Sequence, residues 1–280
     1  MRFTALFALL ICSLAPGTGA ASNPLHIELV TEVRSVQPGK PFYVGLHIVH
    51  PAGYHTYWKF PGIVGIPTDI RWDLPEGWKA GPIEWPAPER VHMYEIKAQG
   101  FHGERLLPVK VTPPAGLRPD QSVTLKGSAT WMCCGRDCNP GFADLRIDLP
   151  VTAEATKPDR RWIPLFAASR QDIAKPCTDW STEARRSGDA IVLRIKPASA
   201  AAQEHFDRIK EITFFTENGL IDPNKPDSLR KTGDAFVLTQ TISEHAPKPM
   251  PTRLTGILET PQGWLPDGKP RSIHITQPIR

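Results

Sequence analysis

Apolar and polar residues alternate in short runs over most of this chain. Ile27, Leu29, Thr31 and Val33 form one run and Phe42, Val44, Leu46 and Ile48 another, separated by the turn stretch Gln37-Pro38-Gly39-Lys40-Pro41. Residues two apart share one face of a strand, so these runs predict antiparallel strands with one buried face each. Similar runs follow at Ile70, Trp72 and Leu74, from Phe101 to Val111, from Val123 to Met132, and at Leu145, Ile147 and Leu149. About seven short strands in about 125 residues is the pattern of an immunoglobulin-like sandwich. Alternation lapses from Val151 to Pro158 and resumes at Ile191-Leu193-Ile195, Ile212-Phe214, Phe236-Leu238, Leu254–Ile257 and Ile273-Ile275. A second sandwich is expected there. Two segments read as short helices: Arg161 to Ile173, leading into the second unit, and, more weakly, Ala200 to Lys210. The expected fold is all-β: two immunoglobulin-like β-sandwich domains, 21–155 and 156–280, with one or two short helices.

One segment breaks the alternation. From His50 to Pro67 the chain is rich in aromatic residues and punctuated by Gly and Pro, a poor strand and a poor helix. It reads as a long ordered loop, and such loops carry function more often than short connections do.

Composition narrows the setting. Thirty prolines and 21 glycines suit a turn-rich β chain. Arg2, the apolar run Phe3 to Leu14 and the small residues Thr18 and Ala20 read as a signal peptide over residues 1–20, so the mature chain is expected to begin at Ala21 or Ser22. That run is too short to span a bilayer, and no later one is long enough. The expectation is a periplasmic protein, exported through a cleaved leader and not membrane-spanning. With 33 basic and 29 acidic residues the net charge is only +4, too weak and scattered for a nucleic-acid partner.

Three of the five cysteines cluster in Trp131-Met132-Cys133-Cys134-Gly135-Arg136-Asp137-Cys138-Asn139-Pro140. If this stretch stayed extended, Cys134 and Cys138 would stand about 13 Å apart, whereas a disulfide needs Cα atoms within about 7 Å. The chain must fold back if they are to pair, and Gly135 supplies the backbone freedom for a turn. In an oxidising compartment cysteines usually end as disulfides. Once Cys12 leaves with the leader, Cys133, Cys134, Cys138 and Cys177 allow three complete pairings.

The chain resembles the N-terminal periplasmic region of thiol:disulfide interchange proteins of the DsbD and ScsB type. The likeness lies in His55-Thr-Tyr57-Trp58-Lys-Phe60-Pro61-Gly62-Ile-Val-Gly65-Ile-Pro67, in Trp72-Asp-Leu-Pro75-Glu-Gly77 with Ile83-Glu-Trp85-Pro86-Ala-Pro88, and in Cys134-Gly-Arg-Asp-Cys138-Asn-Pro140. Phe214-Phe215-Thr-Glu217-Asn-Gly219 and Leu254-Thr-Gly256-Ile257-Leu258 look like the second ectodomain of the ScsB branch. Such proteins usually continue into a membrane domain and a thioredoxin-like domain, which these 280 residues do not contain. Cys133 also departs from the pattern, standing where the family tends to have an apolar residue.

The resemblance implies that Cys134 and Cys138 form a redox-active pair, relaying reducing equivalents without a cofactor between thioredoxin-like or membrane thiol-disulfide partners. It also implies a cap over the pair, from the Tyr54 to Phe60 segment or the Tyr94 to Phe101 segment, and His55, Tyr57, Trp58, Phe60, Tyr94 and Phe101 are the cap or partner-contact candidates. The plainer alternative for Tyr57, Trp58 and Trp72 is a place in the core. Cys133 is either a buried small apolar residue or the partner of Cys177 in an extra disulfide. Two alternatives to a relay stand beside it: a copper(I) module using Met132, Cys133, Cys134 and Cys138 as soft ligands, and a structural or interaction sandwich with a non-catalytic disulfide.

Overall fold

The structure, a computed structural model, describes residues 25–280. The expected leader, residues 1–20, lies outside them. The fold is all-β and immunoglobulin-like. Ten strands build the first half: β1 (His26–Thr31), β2 (Phe42–Val49), β3 (His55–Tyr57), β4 (Asp69–Asp73), β5 (Lys79–Ile83), β6 (Glu89–Met93), β7 (Ile96–His102), β8 (Glu104–Thr112), β9 (Ser122–Cys134) and β10 (Cys138–Pro150). One sheet has the order β1-β2-β8-β5. The other has the order β10-β9-β3-β7-β6, with β4 also paired to β9. Their inner faces meet in a core that includes Val44, Leu46, Trp58, Phe101, Leu107, Leu125, Trp131 and Cys133.

Local chemistry explains several boundaries. The apolar stretch around residues 101–111 divides at Gly103, whose φ of +64° lets the chain leave one sheet as β7 and enter the other as β8. Pro82 lies in β5, which is an edge strand with a register shift between Ala80 and Ile83, as a residue without an N–H requires. The segment His50–Pro67 is not wholly loop. Residues 55–57 form β3, pairing with β7 from His55↔His102 to Tyr57↔Gly100 and with β9 at His55↔Cys134. Three residues are too few to show periodicity, and all three are buried, so no alternation marks them.

The second half contains β11 (Trp180–Ser187), β12 (Ala190–Pro197), β13 (Thr213–Thr216), β14 (Ser228–Thr232), β15 (Ala235–Thr241), β16 (Arg253–Glu259) and β17 (Ser272–Pro278). The sheets β11-β12-β15-β14 and β13-β16-β17 enclose a second core with Leu193, Phe206, Phe214, Phe236, Leu258 and Trp264. β11 and β14 have polar, largely exposed sequences and escape a search for apolar runs. Two short helices accompany the strands. α1 (Ile163–Asp172) packs on the first sandwich: Phe166 is buried with Val30 and Leu106, and the Ser169 hydroxyl donates to the Leu106 carbonyl at 2.9 Å. α2 (Ala200–His205) starts at Ser199, whose side chain accepts from the Ala202 N–H. No helix among the described residues is long and apolar enough to cross a membrane.

The two sandwiches share packing. Phe215 and Ile257, from the second, belong to the first core. Gln99 on β7 donates to the Phe60 and Thr216 carbonyls, Asn224 caps the Lys97 N–H at 2.6 Å, and Lys59 pairs with Glu217 at 2.8 Å.

Candidate functional site

β9 and β10 form a hairpin of thirteen residues a side, in register from Ser122↔Pro150 to Cys134↔Cys138. Only Gly135, Arg136 and Asp137 connect them, closed by the Gly135 N–H donating to the Asp137 carbonyl at 2.8 Å. The last ladder pair is therefore the cysteine pair, and Cys134 and Cys138 are joined as a disulfide with Cα atoms 4.1 Å apart. Gly135 does not take a positive φ here. It is needed for room: a Cβ on it would stand 2.8 Å from the Gly53 carbonyl oxygen and 2.9 Å from the Tyr54 ring.

The two sulfurs have different surroundings. Along β9 the odd-numbered side chains enter the first core, ending with Trp131 and Cys133, whereas Cys134 points to the other face. There it is fully buried in a small cluster with Tyr57, Val91 and Ala98, against which Val64, Met93 and Met132 pack. Gly65, at φ +93°, lets the 61–67 segment lie on the Tyr57 ring, which a Cβ there would overlap. Cys138, one strand over, is exposed.

The groups around Cys134 are held neutral. His55, its register partner on β3, is 2 % exposed, with its ring 5.1 Å from that of Tyr57 and 5.7 Å from that of His102. Desolvation, reinforced by the charges of His102, His50 and His92, lowers its pKa to about 4. Burial pushes the Tyr57 hydroxyl up to about 12. His55 Nε2 and the Tyr57 hydroxyl are both buried and make no hydrogen bond to the protein. On the open side, the Tyr54 hydroxyl donates to Asp137 Oδ1 at 2.6 Å, and this bond holds the Asp137 carboxyl below its ordinary range.

The cap and contact candidates separate into different places. His55 and Tyr57 line the buried side of the pair. Trp58 is in the first core with its indole N–H donating to the Pro86 carbonyl, and Phe101 is there too, stacked on Trp85. Phe60 lies on Gly219 of the second sandwich, where a Cβ would stand 2.8 Å from its ring. Tyr94 is 70 % exposed at the β6–β7 turn, with φ +55°. Tyr54, the first residue of the expected cap segment, touches the cysteine loop most directly, through its bond to Asp137 within that loop.

Cys133 is buried and unpaired, with its thiol raised to about 11, first by burial and then by the Asp137 charge. Cys177 is a free, half-buried thiol beside Asp179. A Cys133–Cys177 disulfide is not formed. The four-ligand copper set does not converge either, because Cys133 faces the first core while Cys134 and Met132 face the other way.

Residues 27–149 match the family "Thiol:disulfide interchange protein DsbD, N-terminal". No curated protein matches. Among solved structures, the N-terminal periplasmic domain of ScsB from Proteus mirabilis aligns over 93 % of this chain and 96 % of that one, with a TM-score of 0.63 and 14 % identity. At that identity the likeness concerns the fold. A protein of unknown function from Porphyromonas gingivalis W83 aligns over 91 % of this chain and 99 % of its own, with a TM-score of 0.24 and 13 % identity.

Proposed function

We propose, starting from residues 27–149 being a DsbD N-terminal-type domain, that this protein relays reducing equivalents in the periplasm through Cys134 and Cys138. The observation that carries this reading is the asymmetry of the disulfide, with one exposed and one buried cysteine. A thiolate of a reduced, thioredoxin-like donor attacks the exposed Cys138 sulfur. The Cys134–Cys138 bond breaks, and Cys134 leaves with the electron pair. The donor's second thiolate then attacks its own sulfur in the mixed disulfide, leaving the donor oxidised and the pair here as a dithiol. In the onward step the Cys138 thiolate attacks an acceptor disulfide, and Cys134 resolves the intermediate by re-forming the bond.

Burial disfavours a thiolate at Cys134, so its departure needs a nearby donor or proton. The Tyr57 hydroxyl and His55 Nε2, on the same face as Cys134 and without a hydrogen-bond partner in the protein, are the groups we assign to that role. The unit carrying the pair is taken to extend through α1 rather than to end at residue 155, because Phe166 and Ser169 are anchored on the first sandwich.

The test is trapping. Cys134→Ser should form a mixed disulfide through Cys138 with an oxidised thioredoxin-like protein, the Cys138 thiolate attacking the partner's disulfide and releasing its second cysteine as a thiol, and Cys138→Ser should not. The reduction potential of the native pair should lie above about −300 mV, the region below which structural disulfides fall. Tyr57→Phe should slow reduction about tenfold with the disulfide intact, a loss expected from one hydrogen bond to a developing charge. A potential below that limit and no trapped complex would show a structural disulfide instead.

A further inference from the structure

The outer face of the first sheet carries a second group of ligand-type side chains, just past the start of α1. His26 and Glu28 lie two apart on β1 and so share a face, and Glu28 is in register with His47 on β2. His26 Nε2 stands 3.4 Å and His47 Nδ1 3.0 Å from Glu28 Oε1. The three ligand atoms all lie within 4.8 Å of one another. Side-chain exposure falls from 63 % at His26 through 37 % at Glu28 to 7 % at His47, giving an open mouth and a buried floor. The Trp162 ring, 4.8 Å from the His47 ring, forms one wall.

His47 supplies the deciding detail. Its second nitrogen, Nε2, is 2.8 Å from Glu104 Oε1, so both ring nitrogens face carboxylate oxygens. Those oxygens only accept, so each ring nitrogen has to present a proton or a bound cation to its carboxylate. A metal ion on Nδ1 meets that requirement: Nδ1 offers its lone pair to the ion, while Nε2–H donates to Glu104. That is the carboxylate–histidine–metal arrangement which fixes a ligand's tautomer and orientation. Donors bound at about 2.0 to 2.1 Å in a tetrahedral set stand about 3.3 Å apart. The separations of 3.0 and 3.4 Å to Glu28 are close to that, and the span of up to 4.8 Å within the set closes by rotation of the exposed His26 side chain.

We propose that His26 Nε2, the Glu28 carboxylate and His47 Nδ1 bind a divalent transition-metal ion of the zinc class, with Glu104 orienting His47 and a fourth position open to solvent. The probe is Zn2+, titrated calorimetrically into the full chain with its disulfide intact. One saturable site with a dissociation constant below about 0.1 mM is expected, together with a melting temperature that rises with Zn2+ concentration. His26→Ala, an exposed change that leaves the fold intact by circular dichroism, should weaken binding at least about tenfold, and Glu104→Gln about 10- to 100-fold. Cys177→Ser should bind as the wild type does. Absence of saturable binding, binding indifferent to His26→Ala, or binding lost only with Cys177 would each overturn the proposal.

Discussion

His50 and His55 stand side by side along the chain's path to the cysteine pair, and both are kept uncharged by their surroundings. His50 donates from Nδ1 to the Gly103 carbonyl at 2.6 Å, which leaves Nε2 to accept from the Thr56 hydroxyl at 2.8 Å. Desolvation lowers its pKa to about 4 against that hydrogen bond, and His55 is lowered to about 4 as well. Their folded values lie below the ordinary 6.5, so the unfolded chain binds more protons between about pH 6.5 and 4. The stability they contribute is complete above pH 6.5 and is lost as pH falls toward 4. Each proton steepens the dependence by up to about 1.4 kcal/mol per pH unit, a few kcal/mol in total. Burial raises the Asp172 and Glu259 carboxyls, which act in the opposite direction, so the histidine share is read by difference. Urea midpoints measured from pH 7 to 4 should fall less steeply for His55→Gln than for the wild type.

At the scale of elements, β3 is the piece that joins the cysteine pair to the rest of the molecule. Tyr54 before it leans on the cysteine loop, His55 and Tyr57 within it cover Cys134, and Lys59 and Phe60 after it contact the second sandwich. Its hold on β7 depends on Gly100, where a Cβ would overlap the Thr56 carbonyl and stand 3.0 Å from Val91 Cγ2. Gly100→Ala must part the two strands. A loss of about 1 to 3 kcal/mol is expected, the usual range for overpacking, seen as a lower urea midpoint at constant slope. Because β3 also shields Cys134, the same variant should be reduced by dithiothreitol faster than the wild type.

At the scale of the whole molecule, the two sandwiches are linked by more than their connection through α1. Phe215 and Ile257 enter the first core from the second sandwich, and Gln99, Lys59 and Asn224 make polar contacts between the two sandwiches beside them. Units that share core residues unfold together. Calorimetry should therefore show one transition, and Phe215→Ala should lower it by about 3 to 5 kcal/mol while weakening amide-exchange protection in both halves. Two separated transitions, only one of them moved, would show that the shared packing is weak.

The fold class was legible in the sequence because alternation with a period of two directly reports a half-buried strand, and β1, β2, β9, β12 and β16 all show it. The pairing of Cys134 with Cys138 was not legible from spacing, which left three complete pairings open; the family resemblance singled it out. Elements whose burial is not periodic were illegible: β3, buried at every position, and β11 and β14, polar and exposed. Alternation likewise placed Cys133 and Cys134 on opposite faces, but only the sheet order shows what lies there, a core on one side and the Tyr57 cluster on the other. Tyr54 against Gly135, Phe60 against Gly219, and His47 between Glu28 and Glu104 are contacts between residues far apart in sequence. No local pattern encodes them, because they depend on which strands become neighbours, and that is decided by how whole faces pack together.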